Sequence, residues 1–163
     1  MLEYRGSGKF RYLALGSLWD QGFVHGFTGK ELDFSGEGLK RSCETLCREL
    51  GVVSVVLPRQ VHGSDVMEIA PGDRQRLCEL NPSEYVCPGD GDGLVVCLRR
   101  EPGEPAMAFG VVTADCLPLV MLSGDWAAVV HAGWRGMAAG VIQKAISELR
   151  CRVKDHPIEV LCG

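Results

Sequence analysis

The chain lacks several things, and each absence closes off a class of function. No apolar stretch approaches the ~20 residues that a membrane-spanning helix needs. Met1 leads into a charged, glycine-containing segment rather than the apolar run of a secretory signal. There is no basic excess: the formal net charge is −4, which argues against general nucleic-acid binding while leaving local basic residues able to hold a phosphate. Eight cysteines in 163 residues follow no repeated spacing, so they do not read as a disulfide scaffold, and reduced thiols in a cytoplasmic setting are the expectation. No internal repeat, linker or low-complexity tract is visible.

What is present is ordinary globular material, with 46% apolar and 23% charged residues. The length is that of one domain over residues 1–163, able to bury most of its apolar surface. Phe10 to Leu15 alternates weakly and predicts an opening strand, and Val24 to Thr28 a second extended piece. Leu39, Cys43, Leu46, Cys47 and Leu50 recur at offsets of three and four, predicting a helix over 38–50 stopped by Gly51. Cys43 and Cys47 then face inward as small hydrophobes, and core packing is also the expected role of Cys78, Cys97 and Cys151. Val52 to Leu57 reads as a buried strand ended by Pro58, followed by a strand at Val66 to Ile69. Pro71 to Asp92 reads as a surface excursion with a short helix over 73–80. Beyond Gly93 the chain turns strand-rich: Leu94 to Leu98, Ala106 to Val112, Leu119 to Leu122 and Ala127 to Val130 are short apolar runs, consistent with strands buried on both faces. Gly136 to Arg150 reads as a single helix with Val141, Ile142, Ala145, Ile146 and Leu149 as its apolar stripe, and Ile158 to Leu161 as a last strand.

Two of these strands end in residues that carry chemistry. Cys116 stands in Thr113-Ala114-Asp115-Cys116-Leu117-Pro118, read as following a strand, and His131 ends the run Ala127 to Val130 with Gly133 able to turn the chain beside it. Neighbouring strand ends would place sulfur and imidazole a few ångströms apart, as a zinc site requires, although a cysteine at such a place is often simply buried. His62, far upstream in Arg59-Gln60-Val61-His62-Gly63, is a third candidate ligand. His25 reads better as a histidine hydrogen-bonded at a strand end. Gly89-Asp90-Gly91-Asp92-Gly93 reads as a turn before a strand, since it lacks the ligand pattern of a calcium loop.

The segments around these residues resemble a known family. Gln60-Val61-His62-Gly63, Asp92-Gly93-Leu94-Val95, Thr113 to Pro118 and His131-Ala132-Gly133-Trp134-Arg135-Gly136 stand in the order found in the family described as multicopper polyphenol oxidase (laccase-like), also named peptidoglycan editing factor and purine nucleoside phosphorylase. His25-Gly26-Phe27-Thr28 is similar to that family's N-terminal strand, so the resemblance runs from about His25 to the C-terminus. It implies an α+β fold, a β-sandwich of mixed sheets wrapped by helices (α/β/β/α-like). It implies zinc held by His62, Cys116 and His131, phosphorolysis of adenosine, inosine, guanosine and methylthioadenosine, and deamination of adenosine. A four-copper cluster cannot be assembled from the four histidines of this chain, although copper could replace zinc at a single His/Cys/His site.

Zinc lowers the pKa of a water it binds to about 7, which suits attack on a purine carbon bearing an amino group. Asp115 is the first candidate to move the proton, beside a simpler role in shaping the loop. Arg135 and Arg59 flank proposed ligands and are candidates for phosphate, with backbone N–H groups of a helix beginning near Gly136. Trp134 suits either a base or the core. A second reading makes Cys116 a nucleophile and His131 its base in a hydrolase acting on muropeptides, and a third is a non-catalytic metal-binding relative. Family members continue beyond Gly163, so a C-terminally short domain and a homodimer through an exposed strand edge are expected.

Overall fold

A computed structural model describes residues 2–7, 10–16, 18, 23–80 and 83–163. Apolar runs of the second half, joined by one from the first, build a five-stranded sheet. Its strands are β5 (Val66–Ile69), β7 (Gly93–Cys97), β9 (Leu117–Ser123), β10 (Trp126–Ala132) and β11 (Glu159–Cys162), in the order β11-β9-β10-β7-β5. All neighbours are antiparallel except β5 and β7. A second sheet pairs the short strands β4 (Ser54–Val56), β6 (Tyr85–Val86) and β8 (Met107–Phe109) in parallel, with β4 in the middle. A third joins β1 (Leu2–Ser7), β2 (Phe10–Leu15) and β3 (Phe27–Thr28) in an antiparallel meander.

Alternation along the strands stacks these sheets into layers. In β7, Val95 packs with Ala128, Val130, Leu119 and Met121 of its sheet against Val141, Ala145 and Leu149 of the helix α4 (Val141–Val153). Its neighbours Leu94 and Val96 point the other way, onto Val56 of β4 and Val86 of β6. On the far side of β4, Val55 meets Cys43, Leu46 and Cys47 of the helix α1 (Gly38–Leu50) together with Phe10, Tyr12 and Ala14 of β2. The result is an α+β arrangement with the order helix, sheet, sheet, helix. Gly51 ends α1 in the left-handed region at φ 66°, its N–H closing on the Cys47 carbonyl.

Several expectations need correction. The stretch read as one helix from Gly136 is two, α3 (Trp134–Ala138) and α4, separated at Gly140, whose φ of 87° no α-helix can contain. Ile146 is exposed and Cys151 lies on the surface, so the buried stripe of α4 is narrower than its sequence suggests. Residues 52–57 contribute only Ser54–Val56 to the ladder, residues 106–112 only Met107–Phe109, and residues 24–28 only Phe27–Thr28. The polar excursion at 71–92 holds the expected helix, α2 (Asp73–Leu80), and also the unanticipated strand β6; Pro82 lies outside the described residues. Arg74 of α2 is buried, donates to the Cys97 and Arg99 carbonyls at 2.5 and 3.2 Å, and pairs with the largely covered side chain of Glu104 at 3.6 Å, tying α2 to the end of β7. No helix of the described residues is long and apolar enough to cross a membrane.

Leu149 is wholly buried between α4 and the five-stranded sheet. Leu149→Ala is expected to cost about 2–5 kcal/mol in denaturant unfolding; a loss below about 1 kcal/mol would mean that α4 does not dock there.

Candidate metal centre

The strand directions bring distant segments to one end of the five-stranded sheet. Asp92 directly precedes β7, and His62 lies just before β5, the parallel neighbour of β7. His131 lies near the C-terminal end of β10, which runs antiparallel to β7, so it reaches the same edge, and its backbone N–H donates to the Asp92 carbonyl at 2.8 Å. Cys116 directly precedes β9, and the β9–β10 register sets Pro118 opposite His131 and Leu117 opposite Ala132. Cys116 therefore introduces a strand rather than following one.

The ligand atoms of His62, Cys116 and His131 all lie within 4.8 Å of one another, with His62 exposed, Cys116 half-buried and His131 buried. This is the one group of three or more His, Cys, Asp or Glu donors found among the described residues. The imidazoles of His62 and His131 meet edge to face, with ring centres 5.0 Å apart. Two imidazoles and one thiol are a donor set that zinc favours, and a tetrahedral zinc would hold them about 3.5 Å apart. Gly133 leaves the room: a Cβ there would lie 3.1 Å from Cys116 Sγ, 3.5 Å from His62 Cδ2 and 3.6 Å from His131 Cε1. The residues present fit one metal ion.

The loops carrying these donors are tied together. The Gln60 side chain donates to the Val112 carbonyl and accepts from the Val112 N–H, both at 2.7 Å, locking the His62 loop to the segment that leads to Cys116. Thr113 Oγ1 donates to the Cys116 carbonyl. At Gly136 in α3, any Cβ would sit 2.7 Å from the Gly63 carbonyl oxygen, so glycine is what permits this close approach.

Asp92, expected as a turn residue before a strand, does directly precede β7, but as a fully buried carboxylate. Its Oδ1 lies 2.9 Å from His131 Nδ1 and accepts the His62 N–H at 3.0 Å; its Oδ2 accepts the N–H groups of Gly63 at 2.7 Å and Val61 at 3.3 Å. The available signal was an acid placed directly before a wholly apolar strand, where a solvated turn residue is not needed.

The other candidates separate clearly. Asp115 is exposed, and its Oδ1 accepts the Cys116 thiol at 3.6 Å. Burial pushes the Cys116 thiol pKa up, and the negative charge of Asp115, its hydrogen bond and the charge of Asp92 push it the same way. Arg135 is exposed in α3 with its guanidinium 5.2 Å from the centre of the Trp134 ring. Trp134 is 71% exposed, which removes it from the core. Arg59 is occupied on the surface, its Nε donating to Asp90 Oδ1 at 2.5 Å. His25 lies elsewhere, its Nε2 accepting the Leu15 N–H at 2.9 Å and its Nδ1 2.7 Å from the Phe23 carbonyl.

Comparison with known proteins gives this site a context. Residues 35–163 match the family model described as multi-copper polyphenol oxidoreductase laccase. A purine nucleoside phosphorylase of Aquifex aeolicus is 31% identical over 105 residues, covering 64% of this chain and 42% of that protein. Adenosine deaminase RL5, from an unknown prokaryotic organism, is 36% identical over 127 residues, covering 74% of this chain and 45% of that protein. Among solved structures, YlmD of Geobacillus stearothermophilus aligns with a TM-score of 0.58 at 26% identity, over 77% of this chain and 46% of that one. The hypothetical protein YfiH of Bacillus licheniformis shares the fold at a TM-score of 0.68 and 18% identity, over 98% of this chain and 64% of that one. The chain thus spans less than half the length of these two curated relatives. With all three donors inside the matched region, the chain belongs to the laccase-like family described as multi-copper polyphenol oxidoreductase laccase.

Proposed function

We propose that this chain is a zinc-dependent enzyme acting on purine nucleosides, by phosphorolysis and by deamination of adenosine. The observation that carries the reading is the convergence of His62, Cys116 and His131 within 4.8 Å. Relatives named purine nucleoside phosphorylase and adenosine deaminase supply the substrate class. Copper redox chemistry of the laccase kind needs more imidazoles than the four histidines here, of which His25 is already engaged elsewhere.

In this reading His62 and His131 supply nitrogen and Cys116 sulfur to the ion. A bound zinc supplies Lewis-acid polarisation of a water molecule or a substrate oxygen. Asp115, exposed beside the sulfur, takes and returns the proton that nucleophilic attack releases. Val61 and Leu117, adjacent in sequence to His62 and Cys116, and Trp134 with Met137 on α3 are exposed apolar side chains. They offer a non-polar rim for the flat face of a base. Arg135 is the better phosphate ligand, because Arg59 is committed to Asp90 and the five-residue α3 is too short to serve as an anion site through its own backbone.

One observation favours a second reading. Cys116, His131 and Asp92 form the order nucleophile, base and orienting carboxylate that a cysteine hydrolase uses, with His131 Nδ1 2.9 Å from Asp92. Against it stands the thiol itself. A catalytic cysteine needs a lowered pKa in positive surroundings, whereas Cys116 is pushed up by burial and by two carboxylates. It also leaves His62 without a role.

Two experiments separate these readings. With metal removed, alkylation followed by peptide mass spectrometry should find Cys116 slower than the exposed Cys151 at pH 7. Because the raised pKa keeps the thiol protonated, its rate should still be climbing at pH 9; a plateau below pH 8 would support the nucleophile. Turnover of adenosine and inosine, with and without phosphate, should be lost on chelation or in His131→Ala, and return with zinc in the unmodified chain. Arg135→Ala should raise KM for phosphate about tenfold or more, the worth of one charge-assisted contact, with less effect on kcat. Stoichiometric zinc with no turnover would leave the chain a metal-binding relative, and turnover indifferent to His131→Ala would sink the proposal.

A further inference from the structure

Asp92 makes more contacts than a turn or a single ion pair requires. The backbone N–H groups of Val61, His62 and Gly63 all point at its two oxygens. Successive N–H groups converge in this way when one residue adopts the left-handed region, forming a small anion cradle. His62 is that residue, at φ 59° without being glycine. Such a conformation is unfavourable for a residue with a side chain and persists only where its surroundings impose it. Here the surroundings are a carboxylate with no exposure to solvent.

The same Oδ1 that receives the His62 N–H also faces His131 Nδ1 at 2.9 Å. A carboxylate only accepts, so the proton of a neutral His131 ring must sit on Nδ1, leaving the Nε2 lone pair for the cluster. One side chain therefore governs two of the three donors. It selects the tautomer of the buried one and holds the strained loop that presents the exposed one. The structure assigns Asp92 as the positioning residue of the metal centre, acting through His131 and His62 without being a ligand itself. The assignment rests on the metal reading of that site, but its central claim, the His131 tautomer, is a property of the metal-free protein.

Asparagine is the informative replacement, because it keeps the shape and exchanges one acceptor oxygen for an NH2 donor. If that donor faces His131, the ring must accept at Nδ1, the proton moves to Nε2, and the lone pair aimed at the metal is lost. If it faces Gly63 and Val61 instead, N–H opposes N–H and the loop holding His62 is released. Either outcome weakens the site, and loss of a carboxylate partner of a histidine ligand typically lowers metal affinity about 10–100-fold.

Asp92→Asn is therefore expected to raise the zinc Kd about 10–100-fold in competition with a chromophoric chelator, with unchanged far-UV circular dichroism. The amides of His62 and Gly63 should also lose hydrogen-exchange protection. In the unmodified, metal-free protein, long-range 1H–15N spectra of His131 should show the proton on Nδ1. A neutral ring protonated on Nε2 overturns the assignment, as does an Asp92→Asn protein that folds and binds zinc within twofold of the unmodified chain. If Asp92→Asn fails to fold, the tautomer measurement decides alone. If the unmodified chain binds no zinc while His131 carries its proton on Nδ1, the metal reading fails and the orienting role of Asp92 stands.

Discussion

A carboxylate removed from water loses several kcal/mol of solvation unless charge or donors replace it. Asp92 is in that position, and its replacement solvent is the protein itself: three consecutive backbone N–H groups and one imidazole. The dependence runs both ways. Without the carboxylate, the N–H groups of residues 61–63 would have to find other acceptors, and the loop between β4 and β5 would have no reason to keep its left-handed residue. The end of the sheet where β5, β7 and β10 meet is organised around this one satisfied charge.

The charge also sets the character of the site. Burial raises the pKa of the Cys116 thiol, and the nearby charges of Asp115 and Asp92 raise it further. Such surroundings repel an anion and discourage a free thiolate, yet they suit a divalent cation, which would reverse the local balance and ionise the thiol outright. Under the proposed function an anionic co-substrate such as phosphate would approach this edge against the carboxylates, and an exposed arginine on the neighbouring short helix would then matter more than an arginine neutralised by its own partner. Metal and Arg135 would supply, in this view, the positive charge that the fold withholds.

Much of the scaffold is legible in the sequence. The offsets of Leu39, Cys43, Leu46, Cys47 and Leu50 with Gly51 behind them specify α1 to the residue, because a one-sided apolar stripe and a left-handed stop leave few alternatives. The runs around β7, β9 and β10 are legible as buried strands for a different reason, each being a short, continuous apolar stretch. What failed was context. A glycine inside a helical pattern is tolerated often enough that Gly140 does not announce a break. The short strands β6 and β8 depend on pairing with β4 rather than on their own propensity. The convergence of His62 with Cys116 and His131 depends on β5 lying parallel to β7, a matter of sheet order that spacing along the chain does not contain. Asp92 was read from its glycine neighbours, which match a turn, whereas its role follows from the burial of everything after it.

The interruption at Gly140 divides the stretch after β10 into two pieces with different obligations. α4 packs Val141, Ala145 and Leu149 into the centre of the sheet, where a change of one methylene group is felt. α3 buries Gly136 against the His62 loop and turns Trp134 and Met137 outward. Side chains that border the site are thereby insulated from those that hold the fold. The rim can be redrawn one residue at a time, changing what the edge accepts, while the core beneath it stays in register.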